Sequence, residues 1–398
     1  MDNSNKYLTS HPWITFTLDL SRNTPYDLWL LLGAAESKCR HLAGIPLHPD
    51  IQKKLQAFSL HRGVQATTAI EGNTLSEEEI KKIAEDGNSE FPKSKEYQFI
   101  EVKNAFSAYN SILDEINENG DCSISYEQLK NDNTAFLSGL KLEKEVIPGE
   151  IRTHSVAVSR YVGAPAEDCD FLIRSLFEWL QKDWGFRSSH NIIEGILKAI
   201  MAHLYIAWIH PFGDGNGRCA RLLEFRILMN ASVPSTAAHL LTKHYNDTRT
   251  EYYNALAETS KSPNGNPAVF MLYALQGFVD ALDNQIGIIL EEQLNVTWEN
   301  YIHNSVFKGA LSESQARKRD LLFEISSFKY PVSANELRKR LSILLLSKYE
   351  EKTLRAFHRD INMLEQLGLV IITNEGIIAA KDKMKAFLPV SRISKRLS

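Results

Sequence analysis

Three observations predict a mainly α-helical fold. Most segments of the chain space their apolar residues as one helix face does, and only two short stretches, 153–162 and 370–379, alternate as strands do. The most apolar stretch, 192–209, runs into a glycine-rich polar turn that leads straight into another helical pattern.

Length and composition bound the rest. With 398 residues and 43% hydrophobic content, the chain holds two or three domains of ordinary globular character. Its first thirteen residues carry no basic segment followed by an apolar run, so no signal peptide is expected. No stretch reaches the roughly 18 uninterrupted apolar residues of a membrane span. Cys39, Cys122, Cys169 and Cys219 show no paired spacing, which suits a reducing cytoplasm and argues against a zinc module.

In chain order, residues 26–42 and 49–69 read as helices, the second ending at Ile70-Glu71-Gly72-Asn73, where Gly72 and Asn73 supply stop chemistry. Ser76 and Glu79 form a capping box that opens the next helix, and Gly87 closes it. Residues 97–145 are helical with 117–121 as a loop. Residues 153–162 lie between Pro148-Gly149 and Gly163-Ala164-Pro165 and read as a hairpin, with an irregular connector as the alternative. An amphipathic helix over 169–184 precedes the apolar 192–209. Past the glycine turn come a helix over 217–229, a helix start at Tyr252-Tyr253, a loop at 263–267 and one or two long helices over 270–301. Two adjacent tyrosines there imply one buried ring and one half-exposed ring.

Residues 210–221, H-P-F-G-D-G-N-G-R-C-A-R, concentrate polar chemistry between two helices. Pro211 keeps His210 out of helical geometry, and Gly213, Gly215 and Gly217 let the backbone approach a ligand closely. The amides around Gly215, Asn216 and Gly217 open a helix whose dipole is positive there, so they form an anion seat. Arg218 and Arg221, three apart, share a face and can grip phosphate oxygens. Asp214 is the only acid in the turn, as in sites where one carboxylate, water and phosphates hold Mg²⁺. An imidazole with a pKa of about 6.5 accepts a proton at cellular pH without special tuning. His203, seven residues before His210, reads as a hydrogen-bonded core histidine, and Cys219 as packing.

These residues fill every defined position of H-x-F-x-[DE]-G-N-G-R-x-x-R, and the chain thereby resembles the Fic family. The resemblance implies a Fic-type helical core that moves AMP from Mg-ATP onto a hydroxyl side chain (Ser, Thr or Tyr) of a protein, self-modification included. It implies His210 as the base, Asp214 as the metal ligand, and Gly215, Asn216, Gly217, Arg218 and Arg221 on the nucleotide phosphates. Phe212 is then a core anchor. Taken alone, Glu71 is a solvated helix-end glutamate. Beside the complete motif, Thr67-Thr68-Ala69-Ile70-Glu71-Gly72 resembles the S/T-x-x-x-E-G/N inhibitory motif of the class with an amino-terminal inhibitory helix. In that reading Glu71 pairs with Arg221 and competes with the terminal phosphate. By position the 153–162 hairpin resembles the flap that holds a target segment by strand pairing, and Tyr253, more than Tyr252, is placed against the adenine.

The tail differs in charge. Residues 314–398 hold 17 Lys+Arg against 9 Asp+Glu, a net +8, which leaves −12 elsewhere. Helical patterns over 319–328, 334–341 and 349–367 followed by a hairpin at 370–379 resemble a winged helix-turn-helix domain. Leu354, Phe357, Ile361 and Leu364 form the expected inner stripe, leaving Lys352, Arg355 and Arg359 outward to meet a DNA groove, or leaving the module to pack on the core or a partner protein. The expected organisation is an N-terminal helical region (1–110), a catalytic core (111–300) and this module (301–398). Two functions follow as alternatives: a cytoplasmic protein adenylyltransferase restrained by Glu71, or a DNA-binding transcriptional regulator that uses the core as a nucleotide sensor. No membrane partner is expected, and a homodimer is left open.

Overall fold

The computed structural model describes residues 6–18, 20, 24–86, 92–158, 161–182, 184–261, 265–350 and 352–385. Gly87, expected to close a helix, and Pro263-Asn264 of the expected loop lie outside them. The chain divides into two compact units, 1–286 and 287–398. The boundary falls inside a helix, at 286/287, and residues 1–110 share one unit with the segment that follows.

In the first unit the helices are α1 (Tyr7–Ser10), α2 (Tyr26–Gly44), α3 (Pro49–Ile70), α4 (Glu77–Asp86), α5 (Glu96–Asn119), α6 (Tyr126–Leu137), α7 (Ala166–Leu180), α8 (Asn191–Ile209), α9 (Asn216–Asn230), α10 (Ser235–Ala238), α11 (Leu240–Asp247), α12 (Arg249–Lys261) and the start of α13 (Ala268–Tyr301). Among the described residues of this unit there is one hairpin, β1 (Ala157–Val158) with β2 (Tyr161–Val162), which pairs Val158 with Tyr161.

Helix α8 is the centre of this unit. It is long and apolar enough to cross a membrane, yet 78% of its most apolar window is buried inside the protein, as for a core helix. Its neighbour α9 packs most extensively against it, at a distance that small residues set: a Cβ on Gly195 of α8 would lie 2.1 Å from the Cβ of Ala231. Helix α3 lies against α5 and α11, and a Cβ on its Gly63 would strike the His239 ring at 2.1 Å. This close seating fixes the end of α3, and with it Glu71, against α9.

Local chemistry explains the boundaries. The Ser76 capping box is present, with Glu79 N–H donating to Ser76 Oγ at 3.2 Å and Ser76 N–H to Glu79 Oε2 at 2.8 Å. Residues 138–145 are not helical as expected: α6 ends at Leu137, followed by Gly139 at φ 70°. Among the described residues of the 153–162 stretch, four are strand. The segment before them is held by Arg152, whose side chain donates to the carbonyls of His154, Ala164 and His210 and so replaces a ladder.

The second unit continues α13 and adds α14 (Glu313–Ser327), α15 (Ala334–Lys339), α16 (Ile343–Glu350), α17 (Leu354–Gln366) and the hairpin β3 (Val370–Thr373) with β4 (Gly376–Ala379). Val332 bridges to Ile377 and adds one residue of a third strand. The expected helix over 349–367 is two helices, because Thr353 caps α17 by accepting from Ala356 N–H, leaving Tyr349 and Glu350 as the last residues of α16. The expected inner stripe needs one correction. Phe357, Ile361 and Leu364 are buried, but Leu354 is 54% exposed. Asp360 is buried in the stripe, where Arg317 Nε (2.9 Å) and Tyr349 Oη (3.0 Å) donate to it.

Candidate active site

Helix α8 delivers His210 and α9 receives the chain after a five-residue turn. His210 caps α8 in the left-handed region (φ 53°, ψ 59°), rather than the extended geometry that a following proline favours. Such a conformation in a non-glycine residue costs on the order of 1–3 kcal/mol and persists only where its surroundings fix it. Here they do. The last carbonyls of α8, which have no helical partner, are met from the hairpin side: Tyr161 Oη donates to Trp208 O (2.9 Å), Arg152 Nη2 to Ile209 O (3.3 Å) and Arg152 Nε to His210 O (2.6 Å). Gly163 lies so close that a Cβ there would be 2.8 Å from His210 Cβ.

The turn is locked from within. Asn216 Oδ1 accepts from Phe212 N–H and Asn216 Nδ2 donates to Phe212 O, both at 2.8 Å, while Phe212 fills the core. Asn133 of α6 braces it from outside, donating to Asp214 O (2.9 Å) and accepting from Gly149 N–H (2.9 Å). Gly215, at φ 80°, caps α9. The amides of Asn216, Gly217 and Arg218 therefore open α9 without intrahelical acceptors.

A carboxylate already sits against that opening. A Cβ on Gly217 would lie 2.4 Å from Glu71 Oε1, and the same oxygen accepts from Arg221 Nη2 at 2.6 Å. Arg221 is fully enclosed and also donates to Thr67, from Nε to Oγ1 (2.8 Å) and from Nη2 to O (3.0 Å). Thr67 and Glu71, one helical turn apart, thus clasp one guanidinium. Burial pushes the Glu71 carboxyl upward, but Arg221, with Arg218 and His210 behind it, more than offsets this and holds it below its ordinary range.

His210 is pushed down to about 4, chiefly by burial and further by Arg152. The Ala207 carbonyl and the Glu71 and Asp214 carboxylates pull it upward less, and no hydrogen bond of good geometry closes on Nδ1. The ring is therefore neutral at cellular pH through its surroundings, not through an ordinary pKa as the sequence implied. Asp214 stands at the mouth with its side chain 40% exposed; its Oδ1 accepts from Arg218 Nη2 at 3.0 Å. Among the described residues no group of three His, Cys, Asp or Glu side chains could hold a metal by itself. A cation on Asp214 would take its remaining ligands from phosphates and water, which fits Mg²⁺.

Tyr252 is buried and Tyr253 is 36% exposed, their ring centroids 5.1 Å apart. Tyr252 bonds through its hydroxyl to His203 Nε2 (2.9 Å), so His203 is a core group. Cys219 is wholly enclosed, its thiol pushed up to about 12 by burial. The structure thus brings Glu71, His210, Asp214, Gly215, Asn216, Gly217, Arg218 and Arg221 together. Asn73, Glu101, Asn133 and Arg152 belong to the same assembly; sequence marked Asn73 only as a helix stop and did not single out the other three.

A model of the Fic/DOC family matches residues 123–228, which span this turn, all of α8 and α9 as far as Leu228. The chain contains a Fic domain. It is 30% identical over 256 residues to protein adenylyltransferase fic-1 of Caenorhabditis elegans, covering 63% of this chain and 46% of that protein. It is 26% identical over 232 residues to protein adenylyltransferase Fic of Nematostella vectensis, covering 58% of this chain and 50% of that one. The chain thus spans about half the length of the curated relatives it matches. A Fic family protein from Desulfovibrio desulfuricans G20 shares the fold, with a TM-score of 0.57 at 18% identity over 93% of this chain and 97% of that one. Residues 134–508 of Fic-1 from C. elegans give 0.52 at 24% identity, over 67% and 73%.

Proposed function

We propose that this Fic domain transfers AMP from Mg-ATP to a serine, threonine or tyrosine hydroxyl of a protein, its own chain included, and that Glu71 restrains it. One observation carries the reading: a carboxylate occupies the opening of α9, bonded to Arg221 and close enough to His210 for its charge to act on the ring. A seat that stabilises one anion suits the phosphates of another.

The chemistry follows from these groups. With Glu71 withdrawn, the free amides of Asn216, Gly217 and Arg218 and the guanidinium of Arg221 bind the phosphates. Asp214 would hold Mg²⁺, which screens the phosphate charge and orients the reacting phosphorus when bound. His210 takes the proton from the target hydroxyl as its oxygen bonds to the α-phosphorus, and the bond to the β-phosphate oxygen breaks to release pyrophosphate. The donors that hold the Trp208, Ile209 and His210 carbonyls keep the base in register. Tyr253 lines the adenine, and the edge of the β1–β2 hairpin receives the target by strand pairing. Four free, buried cysteines suit a cytoplasmic protein.

Labelled ATP with Mg²⁺ tests the reading. Label moving onto protein supports it; release of free AMP, or no turnover by either the unaltered chain or Glu71→Gly, opposes it. The pH profile is a separate check. A base lowered to about 4 stays unprotonated well below neutrality, and deleting Glu71 removes an influence that raises it. Transfer by the Glu71→Gly protein at limiting ATP should therefore change by less than about twofold between pH 7.5 and 6, where an ordinary imidazole loses about fourfold.

A second reading concerns residues 287–398. The order α14, Val332, α15, α16, α17, β3, β4, with Val332 bridged to β4, supports a winged helix-like module, and Arg355 and Arg359 project outward from α17. In a regulator, duplex binding by the full chain falls steeply with salt and Arg355→Ala/Arg359→Ala lowers the slope by roughly 2. Binding insensitive to both changes removes DNA from the account.

A further inference from the structure

Arg218 is shared by two carboxylates. Nη1 donates to Glu101 Oε1 at 2.9 Å and Nη2 to Asp214 Oδ1 at 3.0 Å, with the guanidinium only 3% exposed. Glu101, on α5, is itself buried, and its second oxygen accepts from Asn73 Nδ2 at 2.9 Å. Asn73 follows Gly72 in the turn that ends α3, where it also donates to Gln98 O. One chain of contacts therefore runs from the Glu71 turn through Asn73 and Glu101 to Arg218 and Asp214.

Resting on the assignment of Asp214 to the metal of Mg-ATP, we infer that Glu101 is a positioning residue that governs metal loading. A cation arriving at Asp214 competes with Arg218 for the same carboxylate oxygen and is repelled by the guanidinium charge. Glu101 relieves both: it neutralises Arg218 and keeps hold of it when Asp214 turns to the metal. Without the Glu101 charge, Arg218 leans wholly on Asp214, or on the nucleotide phosphates. Metal-assisted and metal-free nucleotide binding then move in opposite directions, which loss of packing alone does not produce.

The test uses the full chain carrying Glu71→Gly and calorimetry with the non-hydrolysable α,β-methylene analogue of ATP, in EDTA and across a Mg²⁺ series. Mn²⁺ binding is followed by electron paramagnetic resonance. Adding Glu101→Gln should raise the Mg²⁺ needed for half-maximal affinity roughly fivefold or more, the scale of losing one charge at close range in a half-buried site, and weaken Mn²⁺ binding alike. Affinity in EDTA should hold or rise. Asn73→Ala, which frees a Glu101 oxygen for Arg218, should lower the Mg²⁺ requirement. An unchanged Mg²⁺ requirement, or equal losses with and without metal, overturns the inference. Failure of the Glu71→Gly parent to bind nucleotide in any condition overturns the proposed function itself.

Discussion

Replacing Glu71 with glycine should raise transfer of labelled adenylate onto protein by roughly 100-fold or more. The estimate rests on the pair the substitution removes. Arg221 is 1% exposed and its guanidinium is bound by Glu71 and by both oxygens of Thr67. Breaking a buried pair costs about 3–5 kcal/mol when nothing replaces the lost partner; with the Glu71 side chain 32% exposed the lower end applies, and each 1.4 kcal/mol is a factor of ten. ATP must meet that cost in the unaltered chain, whereas in the variant its phosphates bind a guanidinium already without a carboxylate. The same logic predicts a thermal signature. Glu71→Gly alone should melt below the parent, because Arg221 is left uncompensated, and Mg-ATP should restore more of the melting temperature in the variant than in the parent. Equal transfer and equal thermal response by the two proteins would remove the restraint from the account.

Removing the imidazole should have an effect of comparable size and opposite sign. In the Glu71→Gly background, His210→Ala should lower transfer by about 10²–10⁴-fold, the range for losing a positioned general base. Nucleotide affinity should stay within about threefold, because the phosphates are met by the α9 amides and the arginines. His210 occupies a strained left-handed cap next to Gly163, so His210→Asn, which tolerates that conformation better than alanine, separates lost chemistry from a relaxed turn. Retained transfer in both variants would show that the hydroxyl proton leaves by another route.

Much of this site is legible in residue order because its parts are close in sequence. His210 to Arg221 are joined by one turn, so spacing alone places the ring, the glycines, the carboxylate and both guanidiniums at a helix opening. Helices are readable for the same reason: α2, α3 and α9 differ from their periodic patterns by a residue or two at each end. What sequence hides is the long-range bracing. Arg152 is 58 residues from His210, Glu101 is 117 from Arg218 and Asn133 is 81 from Asp214, and nothing local marks them as anything but helix or loop polar residues. Glu71 lies 150 residues from Arg221 and emerged only through a motif resemblance. The same limit explains the tail. Leu354 fits an apolar stripe by spacing, yet Asp360 takes the interior because Arg317, 43 residues earlier, and Tyr349, on the preceding helix, supply its partners. A lowered imidazole pKa is equally invisible, since burial sets it.

The most direct measurement is the intact mass of the Glu71→Gly protein after exposure to Mg-ATP, with fragmentation to locate any addition. Gain of one adenylate on a serine, threonine or tyrosine, absent from the His210→Ala/Glu71→Gly protein, is the predicted result. An unmodified mass for the chain and for every protein added as acceptor, under conditions where the variant demonstrably binds ATP, would contradict it.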